Sequence, residues 1–204
     1  MLVIGLTGSA GMGKSTVAAH VRARGIPVFD ADAEVHRLYE GSAVPKIEKA
    51  FPGTTRDGRV DRQKLSAALL RSPDSLRRLE AIVHPLVEAA ERSFLHRCFA
   101  QGAAMAVLEI PLLFETGGDA RVDVTIVVSA PAAMQRDRML ARPGMTVEKL
   151  DALLSRQLPD AEKRTRADFV IDTGGTISET LAQTDRIIEM LKHRQGSAFA
   201  RCWA

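Results

Sequence analysis

Aromatic residues are scarce in this chain of 204 residues, which has one Trp, one Tyr and seven Phe. So few ring faces leave no platform on which the bases of a single-stranded nucleic acid would stack. Cysteine is nearly absent: Cys98 and Cys202 stand far apart and form no ligand or redox motif. That usage fits a reduced cytoplasmic protein with incidental thiols. Charge of one sign is barely in excess, with 28 Lys and Arg against 25 Asp and Glu, which argues against a dedicated nucleic-acid binder. No run approaches the ~18–20 apolar residues of a membrane span. The first apolar run is brief, lacks a basic leader and passes directly into a glycine-rich stretch, so it reads as a strand and not as a signal peptide. The expectation is a cytoplasmic chain with no nucleic-acid or membrane partner, monomeric or weakly homo-oligomeric.

What is present is ordinary in bulk and uneven in place. A hydrophobic fraction of 46% and a charged fraction of 26% suit a globular protein with one core and one or two small lobes. Eight Lys and Arg lie between Arg136 and Arg166 against five Asp and Glu, and that difference equals the whole net charge of +3. A local basic lobe suits an anionic small molecule better than a polymer.

Five short apolar runs read as strands: 2–7, 26–32, 104–111, 122–129 and 167–173. Helical pattern separates most of them, which predicts an α/β fold with a mainly parallel five-stranded sheet flanked by helices. STVAAHVRARG after Lys14 reads as a helix with Val17, Ala18 and Val21 on one face. Residues 33–100 show no convincing strand but several helix signals, including Asp61 as a cap and Ser72-Pro73 as a cap and first-turn pair. Ser129 is expected to cap a helix through Met139 that Pro143-Gly144 breaks, and Thr146 to cap the next. Thr176 and Glu179 fit a capping box for a last amphipathic helix with Ile177, Leu181, Ile188 and Leu191 on its apolar face. The tail 196–204 has no periodicity and is expected to be disordered.

GSAGMGKS, Gly8 to Ser15, matches the phosphate-loop pattern G-x-x-x-x-G-K-[ST] between a buried strand and a helix. Glycines let successive backbone N–H groups turn inward as an anion nest, and the helix beginning at Lys14 adds its positive end. Lys14 reaches the β and γ phosphates, and the Ser15 hydroxyl takes a place on Mg²⁺. The motif indicates a nucleoside triphosphate without saying what is done with it. No guanine-reading NKxD-like sequence is present. DAD, Asp30 and Asp32, ends the second strand, where ligands gather in open parallel sheets. An acid there can accept a proton from an attacking hydroxyl or help hold the metal.

Taken together, LTGSAGMGKST (6–16), DAD (30–32), VDRQKL (60–65), LEAIVHP (79–85), IPLLFE (110–115), Gln135 with Arg138 and Arg142, Gln157, and ADFVID (167–172) resemble the dephospho-coenzyme A kinase family. The resemblance spans Leu6 to about Leu191. It implies phosphorylation of the ribose 3′-hydroxyl of dephospho-coenzyme A by ATP with Mg²⁺. It also implies a P-loop kinase core (1–32, 101–135, 167–195), a helical acceptor-binding insertion (33–100) and a small lid (136–166). By position, Asp32 becomes the base, with Lys14 and Arg138 as its catalytic partners, and a second candidate for the metal beside Ser15. Gly11, Met12, Gly13, Lys14, Ser15 and Thr16 become the ATP cradle, joined by Arg138 and Arg142, four residues apart on one helical side, and by Thr173 and Gly174. Thr7, Asp32, Arg62, His84, Pro85, Leu112, Phe114 and Glu115 become acceptor contacts. His84-Pro85 is expected to end a helix, Leu113 to be core, and Glu115 to line the site. A nucleoside or nucleotide kinase and a non-catalytic ATP sensor are the alternatives. DTGG after the fifth strand departs from the asparagine-glycine pair frequent in the family.

Overall fold

Leu2–Thr7 (β1) is buried along its whole length, as a strand covered on both faces must be, and hence carries no polar alternation. The computed structural model describes residues 1–70, 72 and 74–204. After β1 the chain forms α1 (Lys14–Ala23), β2 (Val28–Asp30), α2 (Ala31–Leu38), α3 (Val44–Ala50), β3 (Thr55–Arg56), β4 (Arg59–Val60), α4 (Arg62–Leu69) and α5 (Ser75–Ala100). It continues through β5 (Met105–Glu109), β6 (Val124–Ser129), α6 (Ala132–Leu140), α7 (Val147–Leu154), α8 (Asp160–Arg166), β7 (Phe169–Asp172) and α9 (Ile177–Leu191). Met1–Phe29 with Leu95–Ala204 make one compact unit, and Asp30–Phe94 make another.

The five long strands form one sheet in the order β2-β5-β1-β6-β7. β1 is parallel to both β5 and β6, and β6 is parallel to β7. The expected α/β fold with a five-stranded sheet is therefore what forms. Val17, Ala18 and Val21 of α1 and Ile187, Ile188 and Leu191 of α9 pack in one cluster with sheet residues such as Ile4, Leu6 and Val128. Each such Val, Leu or Ile side chain contributes about 1.5–3 kcal/mol when fully buried. The face of α9 differs from the expected one. Ile177 is exposed, while Thr180 and Thr184 are buried, their hydroxyls bonding to the Asp172 and Thr180 carbonyls. The capping box at Thr176 and Glu179 is present, and the Thr176 N–H bonding Glu179 holds that carboxyl below its ordinary value.

Three expectations about local structure are corrected. Ser129 ends β6 instead of capping a helix; α6 begins later, at Ala132 behind Pro131, and the Ser129 hydroxyl donates to Asp160 Oδ2 at 2.7 Å. A two-stranded hairpin, β3 with β4, occupies the stretch read as strandless. Its turn is Asp57-Gly58, both at positive φ, the pair that tight hairpins favour. Helix α5 does not stop at His84-Pro85 but continues through Pro85. An interior proline forfeits one helix hydrogen bond and costs about 3 kcal/mol. Here Leu79 and Val83 before it are buried, and Leu86 and Val87 after it are packed against the same cluster, so burial outweighs the loss. Of the expected Ser72-Pro73 start, Pro73 lies outside the described residues.

The tail is ordered. Phe199–Trp203 form a π-helical turn in which Trp203 is 1% exposed. Its indole N–H donates to the Arg121 carbonyl at 2.8 Å, and the Arg121 guanidinium lies 4.5 Å from the ring centre. Phe199 stacks on Phe99 at 4.5 Å, and Asp123 Oδ1 accepts from the backbone of Ser197 and Ala198. Anchorage by one large apolar ring has no periodic signature, which is why the sequence pattern does not reveal it. Trp203→Ala is expected to lower unfolding free energy by about 3–5 kcal/mol. Urea titration followed by far-ultraviolet circular dichroism checks this, since the variant loses the chain's one indole.

Candidate active site

The phosphate loop leaves β1 at Thr7 and enters α1 at Lys14. Gly8 cannot carry a side chain, because an added Cβ would stand 2.4 Å from the Val128 carbonyl oxygen of β6. Gly13 sits at φ 90° as the cap of α1 with no side-chain hydrogen bond to the helix, so no capping side chain stands over the helix's positive end. An anion placed there meets backbone donors and the positive helix end together. The Lys14 ammonium curls back over the loop to the Gly8 carbonyl at 2.7 Å. Ser15 and Thr16 are exposed on the first turn of α1.

Arg138, on α6, is the second cation at the loop. It donates to the Thr173 carbonyl at 2.7 Å, to the Thr173 hydroxyl at 3.2 Å and, more weakly, to the Gly11 carbonyl at 3.5 Å. Thr173 is itself buried and donates its hydroxyl to the Met12 carbonyl at 2.7 Å. Gly11, Met12, Arg138 and Thr173 are thus joined in one network, and Gly174 follows directly on its rim. Arg142 does not share a helical face with Arg138, since α6 ends at Leu140; it is exposed in the turn that follows.

Within the same unit, Thr7 is fully buried and donates to the Pro111 carbonyl at 3.2 Å. Leu113 is core, as expected, and Leu112 is half-buried. Phe114 is buried beneath the Arg166 guanidinium, 4.6 Å from its ring centre. Glu115 was expected to line the site because an unpaired buried carboxylate is costly. Instead its side chain is only 13% exposed and is paired at 2.8 Å with Lys163, which is fully buried. Lys163 belongs to the basic lobe 136–166, and no sequence signal sets it apart from its neighbours in EKRTR. Arg136 pairs with Asp151 inside the lobe, whereas Lys163 and Arg166 pair with Glu115 and Asp119 outside it, so the lobe is more neutralised than its composition suggests. Removing one partner of a buried pair costs about 3–5 kcal/mol. Glu115→Gln should therefore lower the denaturation midpoint markedly, whereas Arg136→Gln, at an exposed pair, should leave it nearly unchanged.

The remaining residues lie in the unit Asp30–Phe94. Asp30 caps α2, accepting from the Ala33 N–H at 2.9 Å. Asp32 lies exposed in the first turn of that helix. The capping role that competes for any acid after a strand thus falls to Asp30. Arg62 opens α4 behind the Asp61 cap, which accepts from Gln63 and Lys64 N–H. Its charge pulls the Tyr39 hydroxyl down against the stronger upward push of burial. His84 and Pro85 are exposed on α5.

A parallel sheet whose central strand runs through a glycine nest into a helix, with lysine and arginine at the nest, defines a P-loop kinase-like fold. The sequence profile of dephospho-CoA kinases matches residues 2–179 of this chain, which belongs to that family. The dephospho-CoA kinase of Mesorhizobium japonicum is 56% identical over 197 residues, covering 97% of this chain and 100% of that protein. A crystal structure from Thermus thermophilus superposes with a TM-score of 0.83 at 38% identity, covering 93% of this chain and 96% of that one. The Campylobacter jejuni dephospho-CoA kinase shares the fold, with a TM-score of 0.64 at 22% identity over 93% of this chain and 96% of its own.

Proposed function

We propose that this chain transfers the γ-phosphoryl group of ATP to the ribose 3′-hydroxyl of dephospho-coenzyme A, releasing coenzyme A and ADP, the last step of coenzyme A biosynthesis. The observation that carries the assignment is the phosphate nest with Lys14 and Arg138 at its backbone, in a chain matched to the family over nearly its full length. The acceptor oxygen forms a bond to the γ phosphorus as the bond to the β–γ bridging oxygen breaks, and the hydroxyl proton passes to Asp32. Gly11 to Thr16 hold the triphosphate. Lys14 and Arg138 offset the charge of the transferring group, with Arg142 and the segment 136–166 closing over it to exclude water. Thr173 and Gly174 border the nucleotide.

The residues present also suit Mg²⁺, which arrives with ATP and takes most of its ligands from phosphate and water oxygens. The exposed Ser15 hydroxyl is a hard-oxygen donor of the kind required, with Asp32 as a second candidate. Bound there, the cation would supply charge neutralisation to the β and γ phosphates. The proposed acceptor contacts are Asp32, with Arg62, His84 and Pro85 of segment 33–100, and, in the other unit, Thr7 at the end of β1 and Leu112, Phe114 and Glu115 after β5.

Purified protein incubated with ATP and Mg²⁺ plus dephospho-coenzyme A, AMP, CMP or no acceptor tests the assignment through ADP release. Sustained ADP stoichiometric with acceptor is expected only with dephospho-coenzyme A. Turnover with AMP or CMP would make it a nucleotide kinase, and binding without turnover would make it a sensor.

A further inference from the structure

In the phosphate loop, both backbone groups of Ala10 are held by side-chain amides. Its N–H donates to Gln157 Oε1 at 3.2 Å, and its carbonyl accepts from Gln135 Nε2 at 2.8 Å. Gln135 is buried on α6, and Gln157 lies in the connection between α7 and α8. Chemistry fixes the sense of both contacts: a peptide N–H can only donate and a peptide carbonyl can only accept. One amide therefore presents oxygen and the other nitrogen. The residue after Gln157 extends the arrangement, since the Leu158 N–H donates to Glu115 Oε1 at 2.8 Å, on the carboxylate held by buried Lys163. Residues 157–158 thus grip the phosphate loop with a side chain and the segment after β5 with the backbone.

We propose that Gln135 and Gln157 are positioning residues that clamp the Ala10 peptide. They keep the loop's amides aimed at the phosphates and in register with the segment carrying Glu115. The clamp acts only through the loop, so the inference rests on the loop being the triphosphate cradle proposed above. Without it, Ala10 rotates more freely and a bound triphosphate is less well aligned, an effect to which transfer rates are sensitive.

Two substitutions at each position separate a clamp from mere filling of space. Methionine keeps the volume and removes the polar contact. Glutamate keeps an acceptor, which suits Ala10 N–H at position 157 but opposes the Ala10 carbonyl at position 135. The expected results are a roughly tenfold loss of kcat/KM for ATP in Gln157→Met, Gln135→Met and Gln135→Glu, with Gln157→Glu recovering most of the loss. Amide hydrogen exchange at Ala10, read by NMR without nucleotide, should quicken in Gln157→Met and stay slow in Gln157→Glu. Unchanged exchange in Gln157→Met, or a methionine variant more active than Gln157→Glu, would overturn the clamp. Faster exchange at Ala10 with ATP affinity and rate both unaltered would confirm the contact but overturn its role in positioning ATP. Unsubstituted protein without ATP turnover would overturn the proposed function instead, while the exchange result would still report on the contact.

Discussion

Lys14→Ala should lower kcat/KM for ATP by about 10²–10³-fold, the usual loss when one preorganised donor is removed from developing charge. The ammonium is already at the loop, bonded to the Gly8 carbonyl, so little reorganisation separates its resting place from the phosphates. Nucleotide binding should weaken together with turnover, because the charge faces the triphosphate both before and during transfer. Lys14→Arg should recover little, since a planar guanidinium does not replace a compact ammonium inside a tight loop. Equilibrium titration with ATP and initial-rate kinetics check both parts. Unaltered affinity and rate in Lys14→Ala would remove the cradle from the account.

Asp32→Asn should reduce kcat by about 10²–10⁴-fold, the range for loss of a general base, with ATP affinity little changed. The asparagine preserves shape and a hydrogen-bonding oxygen but can neither take the proton nor carry the charge. Instability cannot account for so large a loss. Asp32 is exposed in the first turn of α2, where a carboxylate's interaction with the helix dipole is worth only about 0.3–1 kcal/mol. The cap of α2 belongs to Asp30 and is untouched. Because phosphoryl transfer passes through a loose transition state, alignment of the acceptor is as much at stake as basicity. Turnover near that of the unsubstituted protein would take Asp32 out of the mechanism.

How much could be read in advance depended on how local each cause was. Strands β1, β5 and β6 were visible because strands buried on both faces appear as unbroken apolar runs, and β1 matched its expected limits. The phosphate loop was visible because its glycines are required by backbone geometry, as at Gly8 against Val128. The hairpin at Asp57-Gly58 had a signal, but its strands are too short to show alternation. Helix continuity through Pro85 came from packing on both sides of the proline, which local propensity cannot register. Lys163 carries the least legible role. Its burial depends on Glu115, a residue far away in sequence, and nothing in its own neighbourhood distinguishes it from a surface lysine. The tail was hidden for the same reason, being tied down by Arg121, Asp123 and Phe99.

The most direct measurement is a crystal structure of the protein with a non-hydrolysable ATP analogue, Mg²⁺ and dephospho-coenzyme A. The proposed mechanism requires phosphate oxygens bonded to the backbone amides of Gly11 to Thr16, with the Asp32 carboxylate about 2.6–3.2 Å from the ribose 3′-hydroxyl. Phosphates bound away from that loop, or an Asp32 side chain beyond reach of the hydroxyl in a fully liganded complex, would contradict it.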